Sequence, residues 1–233
     1  MNSQFERSEL LLGTEGIEKL KNSKVAIFGV GGVGGYVVEA LVRSGVGKID
    51  LVDGDVVSIS NLNRQIIALH STIGKSKVEV AKERCLDINP NIKINTYQCF
   101  YLPEKAEQFD LSKYDYVVDA IDTVSAKISL IENAYKYNIP IISAMGAGNK
   151  FNASAFKVSD ISKTTVCPLA KIIRKELRLR GINHLKVVYS DEQPKKINQS
   201  GLERVVGSLS YVPSVMGLII AGEVIKDLSE KVK

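Results

Sequence analysis

The residues most suited to holding a nucleotide phosphate lie near the start of the chain. The stretch VAIFGVGGVGG carries Gly29, Gly31 and Gly34, which fit the pattern G-x-G-x-x-G, with Gly32 between the last two. The first glycine of such a pattern permits a tight turn, the second lets the backbone approach a phosphate, and the third allows close helix–sheet packing. The helix that follows supplies N–H donors and a positive dipole end. NAD, FAD and ATP enzymes share this arrangement, so the glycines predict a phosphate site and leave the nucleotide open.

Polar residues beyond the glycines narrow the choice of nucleotide. Asp53 stands where a ribose-binding carboxylate is expected, and an NAD-dependent oxidoreductase would need little else here. The chain continues instead through Asn61, Arg64 and Lys77. An arginine can clamp phosphate oxygens with two parallel hydrogen bonds, and a lysine can supply a point charge. The set therefore favours a triphosphate, and we predict that ATP is the cofactor.

A further carboxylate, Asp122 in VVDAIDT, follows an apolar strand pattern. Ligands of open α/β sheets bind at the carboxyl ends of the strands, and one aspartate there can hold Mg²⁺ that keeps most of its water. We predict that Asp122 is a metal-binding residue and that Mg²⁺ is a second cofactor. Asp122 could also cap the helix expected from Val124. Asp119, within the strand, is interpreted as structural.

These residues need a scaffold of alternating strands and helices. Short apolar runs at 24–31, 48–53, 114–122 and 139–146 and an alternating stretch at 92–100 predict strands, and helical patterns connect them. The alternation predicts an α/β fold with a doubly wound, mostly parallel, Rossmann-like sheet. After residue 148 the pattern loosens into a smaller extension of mixed strands and helices. It includes a helix from Pro168 to Arg180, a polar loop over 191–208 that we expect to be mobile, and a buried, apolar last helix starting near Pro213.

The composition predicts a soluble protein in a reducing compartment. The three cysteines, Cys85, Cys99 and Cys167, form no C-x-x-C pair, which argues against a disulfide framework and a zinc ribbon. The longest apolar stretch is too short to cross a bilayer. We therefore expect a cytoplasmic protein with no membrane contact. Charge is uneven, because residues 1–150 hold 17 basic and 18 acidic side chains whereas residues 151–233 hold 14 and 8. That excess of six positive charges predicts an anionic partner.

Several spaced motifs, GVGGVGGYVVEALVRSGVG, DGDVVSISNLNRQ, HSTIGKSKVEVAKERCLDINP and VVDAIDT, resemble the adenylating superfamily of ubiquitin-activating enzymes and the ThiF- and MoeB-like bacterial activators. The resemblance implies that residues 1–150 form an ATP-binding adenylating domain. It implies that Asp53 binds the ribose, that Asn61, Arg64 and Lys77 contact the triphosphate, and that Asp122 places the metal. It also implies a homodimer, in which Arg7 reaches into the neighbouring subunit's ATP site. Arg7, Arg64, Lys77 and Asp122 are thus the predicted catalytic residues.

The later motifs CPLAKIIRKELRLRGINHLKVVYSDEQP and GSLSYVPSVMGLIIAGEVIK resemble the tRNA threonylcarbamoyladenosine dehydratases. The resemblance implies an ATP-dependent enzyme of tRNA modification that activates the threonine carboxylate of threonylcarbamoyladenosine, next to the anticodon, and cyclises it. The carbamoyl group of the substrate is then the nucleophile, so no enzyme cysteine is needed. The alternative is an activator of a ubiquitin-like sulfur-carrier protein, for which Cys167 would matter. A sulfur-relay protein stays open as an accessory partner.

Residues 151–233 are interpreted as a basic region that completes the sheet and contacts tRNA and the second subunit. On the helix from Pro168, one face carries the spacing i, i+3, i+4, i+7 in basic side chains, opposite an apolar side that includes Ile172. Such a stripe can follow RNA phosphates, although a solvated surface helix would show the same pattern. The predicted tRNA-binding residues are Lys171, Arg174, Lys175 and Arg178, extended by Lys186, Lys195 and Lys196. Phe151 and Tyr211 are equally compatible with the core and with base stacking.

Overall fold

A computed structural model of the chain describes residues 3–196 and 206–230. Its helices and strands in chain order are α1 (Glu6–Asn22), β1 (Lys24–Phe28), α2 (Gly34–Arg43), β2 (Lys48–Val52), α3 (Lys77–Ile88), β3 (Lys93–Tyr97), β4 (Tyr116–Asp119), α4 (Val124–Lys136), β5 (Ile141–Ala144), β6 (Phe156–Asp160), α5 (Pro168–Leu179), β7 (Lys186–Ser190) and α6 (Tyr211–Ser229). Several 3₁₀ turns lie in the connections, among them Ile59–Asn61.

Within the described residues the strands form one sheet in the order β3-β2-β1-β4-β5-β7-β6. All neighbouring strands are parallel except β6 and β7, which pair antiparallel at one edge. Consecutive strands run outward from β1 in both directions, which is the doubly wound arrangement. The predicted α/β fold class is confirmed, and the antiparallel strand β6 lies in the predicted extension of mixed strands and helices after residue 148.

The central strands β1, β4 and β5 are buried on both faces, because helices cover the sheet on each side. The edge strands β3 and β6 are partly exposed. Along β1, Val25 and Ile27 belong to the core shared with α2, α3 and α6, whereas Ala26 and Phe28 belong to the core shared with α4 and α5. All four side chains are fully buried. This alternation explains why the sequence of β1 is continuously apolar.

Helix α6 packs against α1 and α2, and its residues Met216, Ile220 and Val224 are fully buried. A Cβ added at Gly217 would lie 2.4 Å from the carbonyl oxygen of Val33, so the glycine lets α6 approach the start of α2 closely. The expectation of a buried last helix is confirmed. Strands β6 and β7 belong to the same sheet as the strands of residues 1–150, and α6 packs into the same core. The division of the chain into domains 1–150 and 151–233 therefore stays a prediction.

Three features differ from the sequence expectations or lie outside them. Helix α1 was not predicted, and it is bent at Gly13, where φ is 71°. Leu10 and Leu11, which precede the bend, are 83% and 88% exposed. Ile172 was expected on the apolar side of α5 but is 47% exposed. The expected mobile loop over 191–208 has its central part, 197–205, outside the described residues.

In the ranges 3–196 and 206–230, none of the helices has the length and apolar character needed to cross a membrane.

Candidate nucleotide-binding site

A cavity of about 560 Å³ opens at the carboxyl ends of the parallel strands, where the chain leaves β1, β2, β4 and β5. This is the crevice in which open α/β sheets bind ligands, since the strand order reverses at β1. The cavity brings together eight of the predicted site residues: Gly29, Gly31, Gly32, Asp53, Asn61, Arg64, Lys77 and Asp122. Residues separated by up to 93 positions in the sequence therefore face one ligand-sized space.

The glycine turn requires glycine for steric reasons. Gly29 has φ of 91°, and a Cβ there would lie 2.6 Å from the carbonyl oxygen of Ala120. A Cβ at Gly34 would lie only 1.8 Å from the carbonyl oxygen of Gly29. Gly34 thus lies behind the turn as a helix-packing residue and is not among the residues lining the cavity. The glycine lets the turn and α2 approach each other.

Asp53 is held in place by backbone donors from two segments. Its Oδ2 accepts a hydrogen bond of 2.7 Å from the backbone N–H of Val30, and its Oδ1 accepts one of 2.9 Å from the N–H of Asp55. The carboxylate therefore ties the end of β2 to the glycine turn. Since each carboxylate oxygen can accept more than one hydrogen bond, Asp53 can still accept from the hydroxyl groups of a ribose.

Asn61 and Arg64 are positioned by the 3₁₀ turn that follows β2. The buried Asn61 accepts a 3.1 Å hydrogen bond from the N–H of Ser58 through Oδ1, which orients its amide group. Arg64 donates from Nη1 to the carbonyl oxygen of Ser60 at 2.8 Å and to Oδ1 of Asn63 at 2.9 Å. One branch of the guanidinium is thereby anchored beside the cavity. Its planar fork retains donors for phosphate oxygens.

Lys77 begins α3 and is only 5% exposed. Its Nζ lies 2.6 Å from Oδ2 of Asp55, which also lines the cavity. An almost buried ammonium group is stabilised by such a pairing, because removing a charge from water is costly. Asp55 is a site residue that the sequence reasoning did not identify. Its proximity to Lys77 becomes visible only once α3 packs beside the end of β2.

Gln65 adds an acceptor that was not among the predicted site residues. It is 7% exposed and lines the cavity, and its buried Oε1 has no hydrogen-bond partner within the described residues. A buried acceptor without a partner costs about 1–3 kcal/mol. A ligand that donates an N–H or O–H to Oε1 would remove that cost. The signal available in the sequence was only its place directly after Arg64.

Asp122 is exposed at the cavity wall. Helix α4 begins after Thr123 with no side-chain capping hydrogen bond, so the alternative capping role for Asp122 is not observed. Among residues 3–196 and 206–230, no three His, Cys, Asp or Glu side chains are arranged to hold a metal ion. A lone carboxylate is nevertheless compatible with Mg²⁺, which is commonly held by one or two carboxylates, nucleotide phosphates and water.

A buried ion pair supports the wall that carries Asp122. Asp119 and Lys127 are both fully buried, with 2.7 Å between Oδ2 and Nζ. Lys127 also donates to the carbonyl oxygen of Ala144 at 3.0 Å, at the end of β5. The pair thus joins the ends of β4 and β5 beneath the cavity, which agrees with the structural role predicted for Asp119.

The remaining predicted residues lie outside the cavity. Arg7 is exposed on α1. On α5, Lys171, Lys175 and Arg178 are exposed, and the helix begins at the cavity, where Leu169 is a lining residue. Arg174 differs from the other three because it is partly buried.

Nη1 of Arg174 donates to the carbonyl oxygen of Thr164 at 2.8 Å and to its hydroxyl oxygen. That branch of the Arg174 guanidinium therefore holds the segment before α5.

Comparison with known proteins identifies the family of the chain. The ThiF family model matches residues 5–233.

The chain belongs to the ThiF family.

Within the family, the chain is 46% identical to a Bacillus subtilis tRNA threonylcarbamoyladenosine dehydratase, over all of this chain and 97% of that protein. It is similar to the crystal structure of the Escherichia coli enzyme of the same name in complex with ATP, with a TM-score of 0.90 and 30% identity over 98% of this chain and 94% of that one. An adenylyltransferase and sulfurtransferase from Candida glabrata is 34% identical over 71% of this chain, but only 39% of that protein is covered. The full-length similarity therefore lies with the dehydratases.

Proposed function

We propose that this protein is an ATP-dependent tRNA threonylcarbamoyladenosine dehydratase. The observation that supports this most strongly is full-length similarity to dehydratases, combined with a cavity that contains the residues expected for ATP. The substrate is the threonylcarbamoyl group on the adenosine next to the anticodon of tRNA. The product is its cyclised form, with the net loss of one water.

The chemistry requires an activated carboxylate. A threonine carboxylate oxygen attacks the α-phosphorus of ATP, and the bond between that phosphorus and pyrophosphate breaks. The carbamoyl group then attacks the acyl carbon, closes the ring and releases AMP. Arg64 and Lys77 would stabilise the negative charge on the phosphates, and Asp53 would orient the ribose. A carboxylate is already a nucleophile, so the first step needs no general base.

Lys77 has to exchange or share its contact with Asp55 when a triphosphate enters. In the free protein the ammonium group lies 2.6 Å from that carboxylate. A phosphate oxygen competes for the same donors, and Asp55 is about half exposed and can turn towards water. Asp55 would therefore keep Lys77 in place before ATP binds.

Asp122 is the residue we assign to Mg²⁺. When bound, Mg²⁺ supplies a positive charge that neutralises the phosphates and orients them. The exposed carboxylate in the cavity wall and the absence of a three-ligand cluster in the described residues both suit an ion carried in with the nucleotide.

We also propose a homodimer in which Arg7 completes the partner's site. The first segment of α1, before the bend at Gly13, carries Arg7 together with the almost fully exposed Leu10 and Leu11. Exposed leucines of this kind are typical of a contact surface. The test is complementation at an ATP concentration below the KM of either impaired variant, since mixing Arg7→Ala and Lys77→Met would form one intact site per heterodimer. A mixture no more active than the two variants measured separately would contradict an action in trans.

The tRNA would follow the basic face of α5 away from the cavity. Lys171, Lys175 and Arg178 are the proposed phosphate contacts, while Arg174 contributes through the segment that it anchors. Unpaired cysteines and the absence of any C-x-x-C pair agree with the cytoplasm as its location.

The decisive experiment supplies ATP, Mg²⁺ and threonylcarbamoyl-modified tRNA and measures the mass of the modified nucleoside. The expected result is an ATP-dependent loss of one water. Unchanged mass would refute the proposed substrate.

Cys167→Ser separates this function from sulfur-carrier activation. Cys167 is buried at the start of α5, and its Sγ lies close behind Gly146 in the cavity wall. Dehydration should continue at a near-normal rate in this variant. Loss of turnover without loss of folding would favour a sulfur-transfer enzyme with a nucleophilic cysteine, and a sulfur-relay protein would then be its partner.

A further inference from the structure

Phe151 is an exposed aromatic ring on a tightly held backbone. Its side chain is 51% exposed. Its N–H donates to Oε1 of Glu192 at 2.9 Å, and the next N–H, of Asn152, donates to Oε2 of the same carboxylate at 2.9 Å. Its carbonyl oxygen accepts a 2.9 Å hydrogen bond from the hydroxyl group of Tyr211, itself 46% exposed. The backbone is therefore fixed from two sides while the ring faces solvent.

Phe151 is held by segments that line the nucleotide cavity. Gly148, three residues before Phe151, lines the cavity, and so does Pro213, two residues after Tyr211. Asn149, between Gly148 and Phe151, is joined to Gly207, whose neighbours Val206 and Ser208 also line the cavity. Its Oδ1 accepts a 2.7 Å hydrogen bond from the N–H of Gly207. Both exposed rings thus belong to segments that adjoin lining residues of the cavity, and from this we place them near its rim.

Positive charge accompanies the ring. Nζ of Lys195 lies 4.9 Å from the ring centroid of Phe151, and the neighbouring Lys196 is exposed. The backbone of Lys195 is fixed by a 2.7 Å hydrogen bond to the carbonyl oxygen of Asn149. Residues 151–233 as a whole carry 14 basic and 8 acidic side chains. An aromatic face beside an ammonium group matches an unpaired nucleobase and its phosphate, since bases stack on aromatic rings and phosphates bind cations.

We propose that Phe151, with Tyr211 beside it and Nζ of Lys195 over one face of its ring, forms a stacking platform through its other face for an unpaired base of the tRNA next to the modified adenosine. The inference rests on the proposed function, because it takes tRNA as the substrate. The platform holds the nucleotide beside the one that enters the cavity, so the rim of the site, and not the catalytic machinery, grips the anticodon loop. Phe151 acts in substrate binding, and Lys195 contacts the adjoining phosphate.

The chain offers a matched control for this test. Tyr137 is also a partly exposed aromatic residue, 39% exposed, with Nζ of Lys136 at 5.6 Å from its ring centroid. It follows the last residue of α4, and Thr123, which precedes the first residue of that helix, lines the cavity. At 1.5 Å per residue the helix places Tyr137 about 20 Å from that edge of the sheet. It shares the exposure and the neighbouring lysine but not the position.

The first experiment uses fluorescence. The chain has no tryptophan, so Phe151→Trp and Tyr137→Trp each introduce a single indole that can be excited selectively. Threonylcarbamoyl-modified tRNA is titrated into each variant, with thermal unfolding measured beforehand to confirm folding. We expect saturable quenching for Phe151→Trp and none for Tyr137→Trp. Equal signals from the two variants, or quenching of neither, would overturn the platform.

The second experiment measures dehydration kinetics. Phe151→Ala should raise KM for the tRNA by about tenfold, the effect expected when one stacked base is lost, and leave KM for ATP unchanged. Phe151→Trp should restore the tRNA KM, and Tyr137→Ala should resemble the wild type. An unchanged tRNA KM in Phe151→Ala, or an equal rise in the KM for ATP, would overturn the inference. A wild-type protein that does not dehydrate the tRNA would refute the proposed function. A wild-type protein that is active, with an unchanged tRNA KM in Phe151→Ala, would refute only the stacking platform.

Discussion

Gly34→Ala perturbs the contact between helix α2 and the glycine turn that precedes it. The added Cβ would lie 1.8 Å from the carbonyl oxygen of Gly29, whereas ordinary contacts begin at 3.4 Å. The two atoms must therefore move apart by about 1.6 Å. The obstacle is a backbone atom, so the turn itself has to move. Overpacking of this kind costs roughly 1–3 kcal/mol. For a chain of this length, 2 kcal/mol corresponds to a fall in Tm of about 6 °C.

The displaced turn should also impair catalysis. A misplacement of about 1 Å can lower rates by on the order of 100-fold, and the displaced groups here are the N–H donors expected to meet the phosphates. Thermal unfolding monitored by circular dichroism measures the first effect. Steady-state release of pyrophosphate, with ATP varied at saturating tRNA, measures the second. We expect both a lower Tm and a kcat/KM for ATP reduced by about two orders of magnitude.

Gly35→Ala is the control for the same helix. The nearest atom to a Cβ there is Cγ2 of Ile66, at 3.3 Å, which belongs to a side chain that can yield. Alanine is favoured over glycine inside a helix by about 1 kcal/mol. This variant should therefore keep its activity and its Tm. If Gly34→Ala matched Gly35→Ala in both measurements, the steric reasoning about the turn would be refuted.

Three further outcomes are expected. Lys77→Met should raise KM for ATP by about 10- to 100-fold, since a hydrogen bond to a charged group contributes about 1.5–3 kcal/mol. Lys75 is exposed, and Lys75→Met should leave KM for ATP unchanged. Equal effects of the two substitutions would indicate nonspecific electrostatics. Lys127→Met leaves a carboxylate buried without its partner and should lower the free energy of unfolding by about 3–5 kcal/mol in urea titrations; a loss below 1 kcal/mol would argue against a buried pair. Alkylation at pH 8 followed by peptide mass mapping should modify Cys99, which lines the cavity, and ATP should slow it. Burial raises the pKa of the Cys85 thiol to about 12, so that residue should stay protonated and unmodified; rapid labelling of Cys85 would contradict its environment.

Much of the fold follows from local patterns in the sequence. The inner strands of the parallel sheet are short apolar runs, the edge strand β3 has an alternating pattern, and helices such as α3 and α5 begin and end near recognisable residues. Helix α1 escaped prediction because its exposed leucines and the bend at Gly13 interrupt the usual periodicity. Ile172 was misplaced because an amphipathic pattern cannot show how far a neighbouring element covers the helix.

The candidate site was predictable where a motif fixes position, as for Asp53, Arg64 and Lys77. Asp55 and Gln65 were not identified, because their importance depends on a contact and on an unfilled hydrogen bond, which exist only after folding. The role of Phe151 was left open for the same reason. An aromatic residue in a sequence does not reveal whether its ring faces the core or solvent, and here the Glu192 carboxylate holds the backbone that exposes it.

The packing of α6 determines when, during translation, the nucleotide cavity is completed. Residues 211–229 leave the ribosome after every other helix and strand described here, yet Pro213 lines the cavity and Gly217 fits against the start of α2. At about 5–20 residues per second, the strands that carry the glycine turn emerge many seconds before the helix that supports them. A nascent chain therefore exposes the apolar face of β1 and α2 until synthesis reaches α6, and the cavity is completed only then. Premature termination before residue 211 should yield a chain that chaperones bind rather than one that consumes ATP.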